Sequence, residues 1–401
     1  MPIPSLLRHP PYLLYVGART ASEFAYQMSA VAIAWQVYTL THSALDLGLI
    51  GLVQFAPSAL LTFYVGHVAD RYDRPRVVQL CRLVFGLAAA ILAWGSFAGW
   101  LRVPEIFAVA LVFGIAEAFE SPAQGALLSG VTPAGSLQRA AAFASGASEV
   151  AAISGPALGG ICYAIAPGLP YAVVAAMWLI ASGLNGAIRL APTERNDEPT
   201  TLRDGFAAIG FLRANPLIFG TISLDLFAVL LGGATALLPI YARDVLHTGA
   251  WGLGVLRSAP AIGALLMTAV LTHTAIGKRA GAKLFGAVIA FGLATIVFAL
   301  SHLLWLSLIA LVALGAADAV SVVVRSSLVQ LRTPDAMRGR VGAVHYLFVN
   351  ASNQLGQFES GVTAALLGAV PAALVGGVGT VAVALVWMLL FPALRTVDRL
   401  E

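Results

Sequence analysis

Apolar residues occupy long stretches of this chain, and charged residues cluster in the short segments between them. A hydrocarbon core of about 30 Å requires about 20 apolar residues per helix. Loops, Pro/Gly clusters and charges divide the chain into about twelve segments of that length. The predicted spans are 12–39, 45–66, 77–99, 104–124, 138–164, 169–190, 215–242, 250–274, 283–301, 303–328, 340–367 and 370–392. The pattern therefore predicts an all-α membrane protein with twelve transmembrane helices.

Composition supports lipid as the main solvent. Of 401 residues, 59% are hydrophobic and 10% are charged, and the mean hydropathy is +0.87. One soluble core cannot bury that much apolar side chain. The apolar run after Arg8 is too long for a signal peptide and is expected to be the first helix. Cys81 and Cys162 are expected to be unpaired, and without metal-ligand spacing we expect neither metal nor cofactor.

The basic residues predict the orientation of the chain. Counted over the twelve spans, only Arg102 and Arg243 lie in loops on the side opposite Arg8. The other side holds Arg71, Arg74, Arg76, Arg82, Arg139, Arg189, Arg195, Arg203, Arg213, Lys278, Arg279, Lys283, Arg332, Arg338, Arg340, Arg395 and Arg399. The positive-inside rule then places both termini in the cytoplasm. Orientation also accounts for the net charge of +4, so no nucleic-acid partner is expected.

The long polar stretch near the middle of the chain predicts two halves. Residues 1–190 and 215–401 form the predicted six-helix bundles, and residues 191–214 form a cytoplasmic linker. Around Phe206, Ile209, Gly210 and Leu212 the linker is either a short amphipathic helix on the membrane surface or an unstructured tether. An internal repeat supports the halves, since five residues recur 201 positions later. These are Leu127, Thr132, Pro133, Arg139 and Gly155, recurring as Leu328, Thr333, Pro334, Arg340 and Gly356.

The sequence GHVADRYDRPR, from Gly66 to Arg76, follows the second predicted span. It resembles the loop between helices two and three of the major facilitator superfamily, with Asp73 and Pro75 as departures. The resemblance implies two pseudo-symmetric six-helix bundles and a cytoplasmic gate, in which Asp70 faces the positive N-terminal end of helix eleven near Gly339 and Arg340. The implied gate residues are Gly66, Asp70, Arg71, Arg74 and Arg340. The alternative is that the arginines only fix the topology.

A second motif, SGPALGG in the fifth span, resembles an element typical of the exporting, drug-antiporter branches of that family. Its residues are Gly155, Pro156, Gly159 and Gly160. An ordinary close helix contact is the alternative. Sequences around helices seven, eight and eleven are similar to the branch with siderophore exporters of the enterobactin type. Helix four lacks the Arg expected of drug antiporters and carries Glu117 and Glu120 instead.

Ionisable residues within the predicted spans are candidates for proton coupling, because charge inside a membrane is costly and usually functional. The coupling candidates are Glu23, Glu117, Glu120, Asp225 and Asp318. They lie on helices one, four, seven and ten, which line the central cavity in the resembled family. The alternative is that Arg19 with Glu23, and Asp318 with Arg325, form static ion pairs, while Asp225 is expected to be unpaired.

Polar residues also form stripes on two predicted helices. Helix eleven carries Asn350, Asn353, Gln354 and Gln357 at helical spacing, and helix five carries Ser145, Ser148 and Glu149. The expected substrate path is lined by Arg19, Glu149 and the four amides of helix eleven. The alternative is that these polar residues join neighbouring helices. Aromatic walls are a further possibility, although each residue alone more often packs. The aromatic candidates are Tyr26, Trp35, Phe119, Phe227 and Tyr346.

Together these patterns predict a monomeric transporter in the bacterial cytoplasmic (inner) membrane, working by alternating access with lipid, protons and a small organic substrate as partners. The expected activity is proton-driven export of siderophore-like metabolites or amphiphilic drugs. A lipid or lysolipid flippase, a facilitator, and a non-transporting scaffold or sensor are the alternatives. An enzyme is not expected, because hydrolase, metalloprotease and phosphate-binding motifs are missing.

Overall fold

The computed structural model describes residues 6, 8–71, 73–133, 135–189, 210–274 and 279–398. Within these ranges the side chains of residues 62–71, 126, 335, 336, 338, 339, 343 and 346 are not described. The described chain is helical and contains no strand. Twelve long helices follow in order: α1 Pro10–Thr41, α2 Ala44–Arg71, α3 Arg74–Ala98, α4 Val103–Val131, α5 Leu137–Ile165, α6 Leu169–Gly186, α7 Pro216–Leu231, α8 Gly249–His273, α9 Ala280–Leu300, α10 Leu304–Arg332, α11 Asp335–Leu367 and α12 Ala369–Leu390. A short helical turn, Pro392–Arg395, follows α12.

Proline and residues with left-handed backbone mark several helix boundaries. Proline occupies one of the first two positions of α1, α3, α4, α6 and α7, where its missing N–H has no intrahelical partner to lose. Gly99 directly follows the last residue of α3, and its φ of 75° suits glycine. His42 directly follows α1 and is also left-handed, with a φ of 52°. These signals keep several connections short.

Ten helices of the described chain are long and apolar enough to cross a membrane. Helices α1 and α11 are long, at 32 and 33 residues, but are not among the ten. Both were predicted as spans. Polar residues are spread along both helices, such as Arg19, Glu23 and Gln36 in α1 and the four amides of α11, and they lower the mean hydropathy of each.

The seventh predicted span, 215–242, is not one continuous α-helix. Helix α7 ends at Leu231 and is followed by a 3₁₀ turn Ala234–Leu237, one α turn Leu238–Ile240 and a π turn Tyr241–Val245. The break falls at Gly232 and Gly233. A Cβ on Gly233 would lie 2.6 Å from the carbonyl oxygen of Gly356 in α11. The break therefore coincides with a close backbone approach between α7 and α11.

The chain folds into two compact units. Unit 1 contains Met1–His42, Val53–Thr200 and Gly249–Ser258, and unit 2 contains Ser43–Leu52, Thr201–Thr248 and Ala259–Glu401. The beginning of α8 thus belongs to unit 1 and the beginning of α2 to unit 2. The predicted boundaries at 190 and 215 remain a prediction.

Unit 1 is built around contacts of α1 with α5 and α6, and of α3 with α4 and α6. In one of its apolar clusters Tyr12, Tyr15, Leu127 and Ala144 are buried. The hydroxyl of Tyr12 donates a 2.8 Å hydrogen bond to the carbonyl oxygen of Ala140, which joins α1 to α5.

Unit 2 is built around contacts of α9 with α10 and α12, and of α7 with α11 and α12. Leu224, Phe285, Val324 and Leu328 lie in one of its apolar clusters. Of the predicted amphipathic helix, residues 210–214 are helical. Leu212 is buried in a second cluster with Ile218 and Val341. Phe206 and Ile209 lie outside the described residues.

Candidate functional site

A buried ion pair joins α3 to α4 in unit 1. The guanidinium of Arg82 donates from Nε to Oε1 of Glu120 at 2.7 Å and from Nη2 to Oε1 of Gln124 at 2.9 Å. Arg82 is 1% exposed and Glu120 is 8% exposed. The count of basic residues predicts Arg82 in a loop; this prediction is wrong, because Arg82 lies in the third turn of α3. Glu120 thus has a cationic partner that the sequence did not indicate.

The remaining carboxylates of unit 1 form an acidic group around Glu23. Glu117 interacts electrostatically with Glu120 and Glu23, and Glu149 interacts with Glu23. All three side chains, Glu23, Glu117 and Glu149, are half-buried. Among the described residues none of the three has a salt bridge. We refer to Glu23, Glu117 and Glu149 as the acidic group of unit 1.

Arg19 does not form the ion pair with Glu23 that the sequence offered as an alternative. Its Nε donates to the hydroxyl of Ser148 at 3.0 Å and its Nη1 donates to the hydroxyl of Tyr15 at 3.0 Å. Glu23 instead accepts a 2.9 Å hydrogen bond from the side-chain amide of Gln27. Arg19 therefore links α1 to the polar stripe of α5. Glu23 does not have Arg19 as a positively charged partner.

A second buried ion pair joins α7 to α10 in unit 2. Arg325 pairs through Nη1 with Oδ1 of Asp225, and the two residues are 5% and 7% exposed. The alternative ion pair between Asp318 and Arg325 is not formed, and the expectation that Asp225 is unpaired is wrong, because Arg325 pairs with Asp225. Asp318 lies seven residues before Arg325 on α10, about two helical turns away, whereas α7 packs directly against α10.

The amides predicted on α11 have mixed environments. A Cβ on Gly51, near the beginning of α2, would lie 3.2 Å from Oε1 of Gln357 and 3.3 Å from Oε1 of Gln354. Asn353 is exposed and donates to the carbonyl oxygen of Val349 within its own helix, while Asn350 is half-buried. Two of the four amides therefore pack against a neighbouring helix within unit 2.

The glycine motif of α5 produces two close helix contacts within unit 1. A Cβ on Gly155 would lie 2.8 Å from Cβ of Gln27, and one on Gly159 would lie 3.0 Å from backbone atoms of Met28. Gly160 faces the carbonyl oxygen of Ala250 at the beginning of α8. Across the same contact, a Cβ on Gly254 would lie 2.5 Å from the carbonyl oxygen of Pro156. Larger side chains at these positions would force α1, α5 and α8 apart.

The gate prediction falls largely outside the described side chains. Gly66, Asp70 and Arg71 lie in α2, but their side chains are not described. Arg74 begins α3 and is exposed. Helix α11 begins at Asp335, so Arg340 lies in its second turn, and the predicted N-terminal end at Gly339 is wrong.

The aromatic residues predicted to line the substrate path differ in how deeply they are buried. Trp35 is 9% exposed and belongs to the core, while Tyr26 and Phe227 are 41% and 40% exposed. Phe227 also packs against Trp387, with ring centroids 5.2 Å apart. Phe119 is half-buried. The side chain of Tyr346 lies outside the described residues.

The helices are long and apolar enough for a membrane protein of many spans, and the comparisons identify its family. The family model of the Major Facilitator Superfamily matches residues 16–357, so the chain belongs to this family. It is therefore a multi-pass membrane transporter of small molecules rather than an enzyme.

Among the relatives, the chain is 28% identical over 399 residues to "Enterobactin exporter EntS" of Citrobacter koseri, covering 98% of this chain and 94% of that protein. It is 27% identical over 403 residues to the protein of the same name in Salmonella choleraesuis, covering 98% and 95%.

Two solved structures share the fold. The nucleoside transporter NupG aligns with a TM-score of 0.76 and 14% identity over 95% of this chain and 99% of that chain. A bacterial homolog of the human lysosomal transporter Spinster, inward-facing and occupied, aligns with a TM-score of 0.72 and 17% identity over 96% and 95%.

Proposed function

We propose that this protein is a proton-coupled exporter of small organic molecules, working by alternating access in the bacterial cytoplasmic membrane. The acidic group of unit 1 carries the proposal. Three carboxylates interact there without a salt bridge among the described residues. Uncompensated charge inside a membrane segment is costly, and binding of a proton removes that cost.

The proposed substrate is a siderophore-like metabolite or an amphiphilic drug. Support for the siderophore class comes from relatives named enterobactin exporters that cover almost the whole chain. The glycine motif of α5 supports export by its resemblance to exporting branches. Arg19, Glu149 and the amides of α11 are the proposed substrate contacts.

The proposed coupling residues are Glu23, Glu117 and Glu120 in one six-helix bundle and Asp225 and Asp318 in the other. Protonation of such groups from outside and release of the proton inside would drive the exchange between two conformations. The proposed cytoplasmic gate consists of Gly66, Asp70, Arg71, Arg74 and Arg340. The protein is proposed to act as a monomer with both termini in the cytoplasm.

The deciding experiment is uptake into inside-out vesicles containing the full chain. The panel consists of catecholate siderophores and fluorescent amphiphilic cations, each measured with and without a protonophore. We expect uptake of one class that collapses with the proton gradient. We expect Glu117→Gln to lose gradient-driven uptake while still binding the substrate. Asp225→Asn should lose the same uptake and also part of its stability, because it leaves Arg325 without its buried partner.

Glu105→Gln is the matched control, because Glu105 lies in the first turn of the same helix as Glu117 and bonds only locally, to the backbone N–H of Arg102 at 3.1 Å. It should transport as the wild type does. Uptake indifferent to the gradient would refute proton coupling and favour a facilitator or flippase. Failure to take up any member of the panel would refute the proposed substrate classes.

A further inference from the structure

Helix α8 carries an arginine inside its membrane-spanning segment. The helix, Gly249–His273, is long and apolar enough to cross a membrane, and Arg257 lies about 12 Å along it from Gly249. The residue is half-buried. A charged side chain at such a depth is costly, so it usually faces the protein interior or a water-filled cavity and serves a function.

Arg257 differs in its partners from other arginines inside the helices. Arg19 donates to two hydroxyl groups, whereas Arg82 and Arg325 each pair with a carboxylate. Among the described residues Arg257 has neither a hydrogen bond nor a salt bridge, and it interacts electrostatically with Tyr26 of α1. Its guanidinium is therefore not paired with a carboxylate in the part of the chain that the structure describes.

The glycine motif of α5 explains why Arg257 and Tyr26 come from neighbouring helices. Helix α5 packs against α1 at Gln27, which directly follows Tyr26. It packs against α8 at Gly254, one turn before Arg257. All four residues belong to unit 1. One short segment of α5, Gly155–Pro156, thus holds the helices of both side chains in place.

The chemistry of this pair fits an aromatic ring that carries oxygen atoms. The planar fork of a guanidinium donates parallel hydrogen bonds to two oxygens that lie close together. A tyrosine ring stacks against a second aromatic ring, and Tyr26 is 41% exposed. A catechol has a flat ring with two adjacent oxygens, so it suits both side chains. An amphiphilic cation would instead be repelled by the charge of Arg257.

We propose that Arg257 and Tyr26 form a substrate subsite for a catechol ring. The guanidinium binds the two adjacent oxygens, and the tyrosine packs against the face of the ring. The inference rests on the proposed function, within which it selects oxygen-bearing aromatic metabolites over amphiphilic cations. It adds a specificity-determining arginine on α8 to the proposed substrate contacts, apart from the acidic group of unit 1.

Calorimetric titration of the purified full chain tests the subsite without any transport. The probes are an N-alkyl dihydroxybenzamide with adjacent hydroxyls, the matching dimethoxybenzamide, and tetraphenylphosphonium as an amphiphilic cation. We expect the wild type to prefer the dihydroxy probe. Arg257→Gln should weaken binding of that probe by roughly 10- to 100-fold, because a charge-assisted hydrogen bond is lost. It should not weaken binding of tetraphenylphosphonium.

Two further variants separate the parts of the subsite. Arg257→Lys should restore only part of the lost affinity, because lysine keeps the charge but lacks the fork. Tyr26→Leu should weaken the dihydroxy probe by roughly 2- to 10-fold through the loss of ring stacking. Arg76→Gln is the matched control, because Arg76 is exposed on α3, and it should bind all probes as the wild type does.

The unfolding temperature of the ligand-free variants distinguishes recognition from a structural role. Arg257→Gln should not lower Tm, because Arg257 has no described partner to lose. A lower Tm with unchanged affinity for the dihydroxy probe would assign the arginine a structural role and overturn the proposal. A wild type that does not distinguish the dihydroxy from the dimethoxy probe would overturn it as well.

Chemical protection of the wild type covers the case in which Arg257→Gln fails to fold. Phenylglyoxal modifies accessible guanidinium groups, and the modified peptides are identified by mass spectrometry. We expect the dihydroxy probe to protect Arg257 but not Arg76, and the dimethoxy probe to protect neither. Equal modification of Arg257 with and without the dihydroxy probe would contradict the subsite.

Failure of the subsite and failure of the proposed function give different results. Binding of the dihydroxy probe that depends on Arg257, together with vesicle uptake indifferent to the proton gradient, would keep the subsite and refute proton coupling. Gradient-driven uptake of amphiphilic cations by a chain that does not bind the dihydroxy probe would refute the subsite and keep proton-coupled export.

Discussion

The Arg82–Glu120 pair is buried on both sides, so its two charges depend on each other. Removing one partner of such a pair leaves a buried charge uncompensated and typically costs about 3–5 kcal/mol. We therefore expect Arg82→Gln and Glu120→Gln each to lower the unfolding free energy strongly, measured by thermal unfolding in detergent. The double variant Arg82→Met/Glu120→Leu should recover most of the loss, because it leaves no buried charge.

The exposed pair of Arg76 and Asp73 provides the comparison. Its Nε–Oδ2 distance is 3.4 Å, and the side chains are 81% and 54% exposed. Arg76→Gln should change stability by about 0–1 kcal/mol. Similar losses for Arg76→Gln and Arg82→Gln would show that burial of the α3–α4 pair has no energetic weight.

Asp70 is the residue on which the gate prediction depends. We expect Asp70→Asn to abolish transport in the vesicle assay while the protein still reaches the membrane, because an uncharged amide holds the positive partners of the gate less strongly. Membrane content is measured by immunoblotting of the same vesicles. Unimpaired transport by this variant would remove Asp70 from the gate and leave the arginines with a topological role.

At the residue scale, the sequence identified which carboxylates lie inside helices but not which cations meet them. Arg82 follows a basic loop closely, and counting charges assigned it to that loop. A signal was present, because the 201-residue offset of the repeat also aligns Glu117 with Asp318 and Gln124 with Arg325. That alignment marks positions 124 and 325 as polar, but partners on other helices depend on packing that spacing cannot show.

Helix α5 offers a comparison of two glycines in one element. Gly160 faces the backbone of Ala250 in α8, whereas a Cβ on Gly146 would have no atom within 4 Å. We expect Gly160→Ala to destabilise the protein by about 1–3 kcal/mol through overpacking. Gly146→Ala should be neutral or stabilising by up to about 1 kcal/mol, because alanine favours helix. Thermal unfolding of both variants is the measurement, and equal effects would argue against the close α5–α8 contact.

The elements themselves were largely predictable, because twelve apolar segments set their number and order. Helix α7 was the exception. Its apolar run continues through Gly232 and Gly233, so hydrophobicity alone extends the helix to 242. The break lies where Gly233 meets the backbone of α11, a contact more than a hundred residues away in sequence. Local pattern cannot show such a contact.

At the scale of the whole molecule, the positive-inside rule makes an orientation prediction. We expect green fluorescent protein fused after Glu401 to fluoresce and alkaline phosphatase at the same site to be inactive, because both report a cytoplasmic C-terminus. Phosphatase inserted after Arg102 should be active. Active phosphatase at the C-terminus would contradict the assigned orientation or require an odd number of spans.

The family and its fold followed from the sequence as a whole, through the loop motif and the repeat. Which residues make up each of the two units did not follow from the sequence. Unit 1 includes residues 249–258 of α8, and unit 2 includes residues 43–52 of α2. From the order of helices along the sequence, each helix is assigned whole to the N-terminal or the C-terminal half. Gly254 lies in the C-terminal half of the sequence but packs against Pro156 within unit 1. Only the fold shows where such small residues pack.

If the 201-residue repeat arose by duplication of one six-helix unit, the two buried ion pairs bear on how the copies diverged. Under the repeat, α4 corresponds to α10 and α3 to α9, so inheritance would place both pairs on equivalent helices. Instead one pair joins α3 to α4 and the other joins α7 to α10. Gln124 and Arg325 occupy equivalent positions of the repeat. Gln124 accepts a hydrogen bond from Arg82, whereas Arg325 is itself the cation of the second pair. Under a duplication, at most one of the two pairs can be ancestral, and the other would have arisen as the copies diverged.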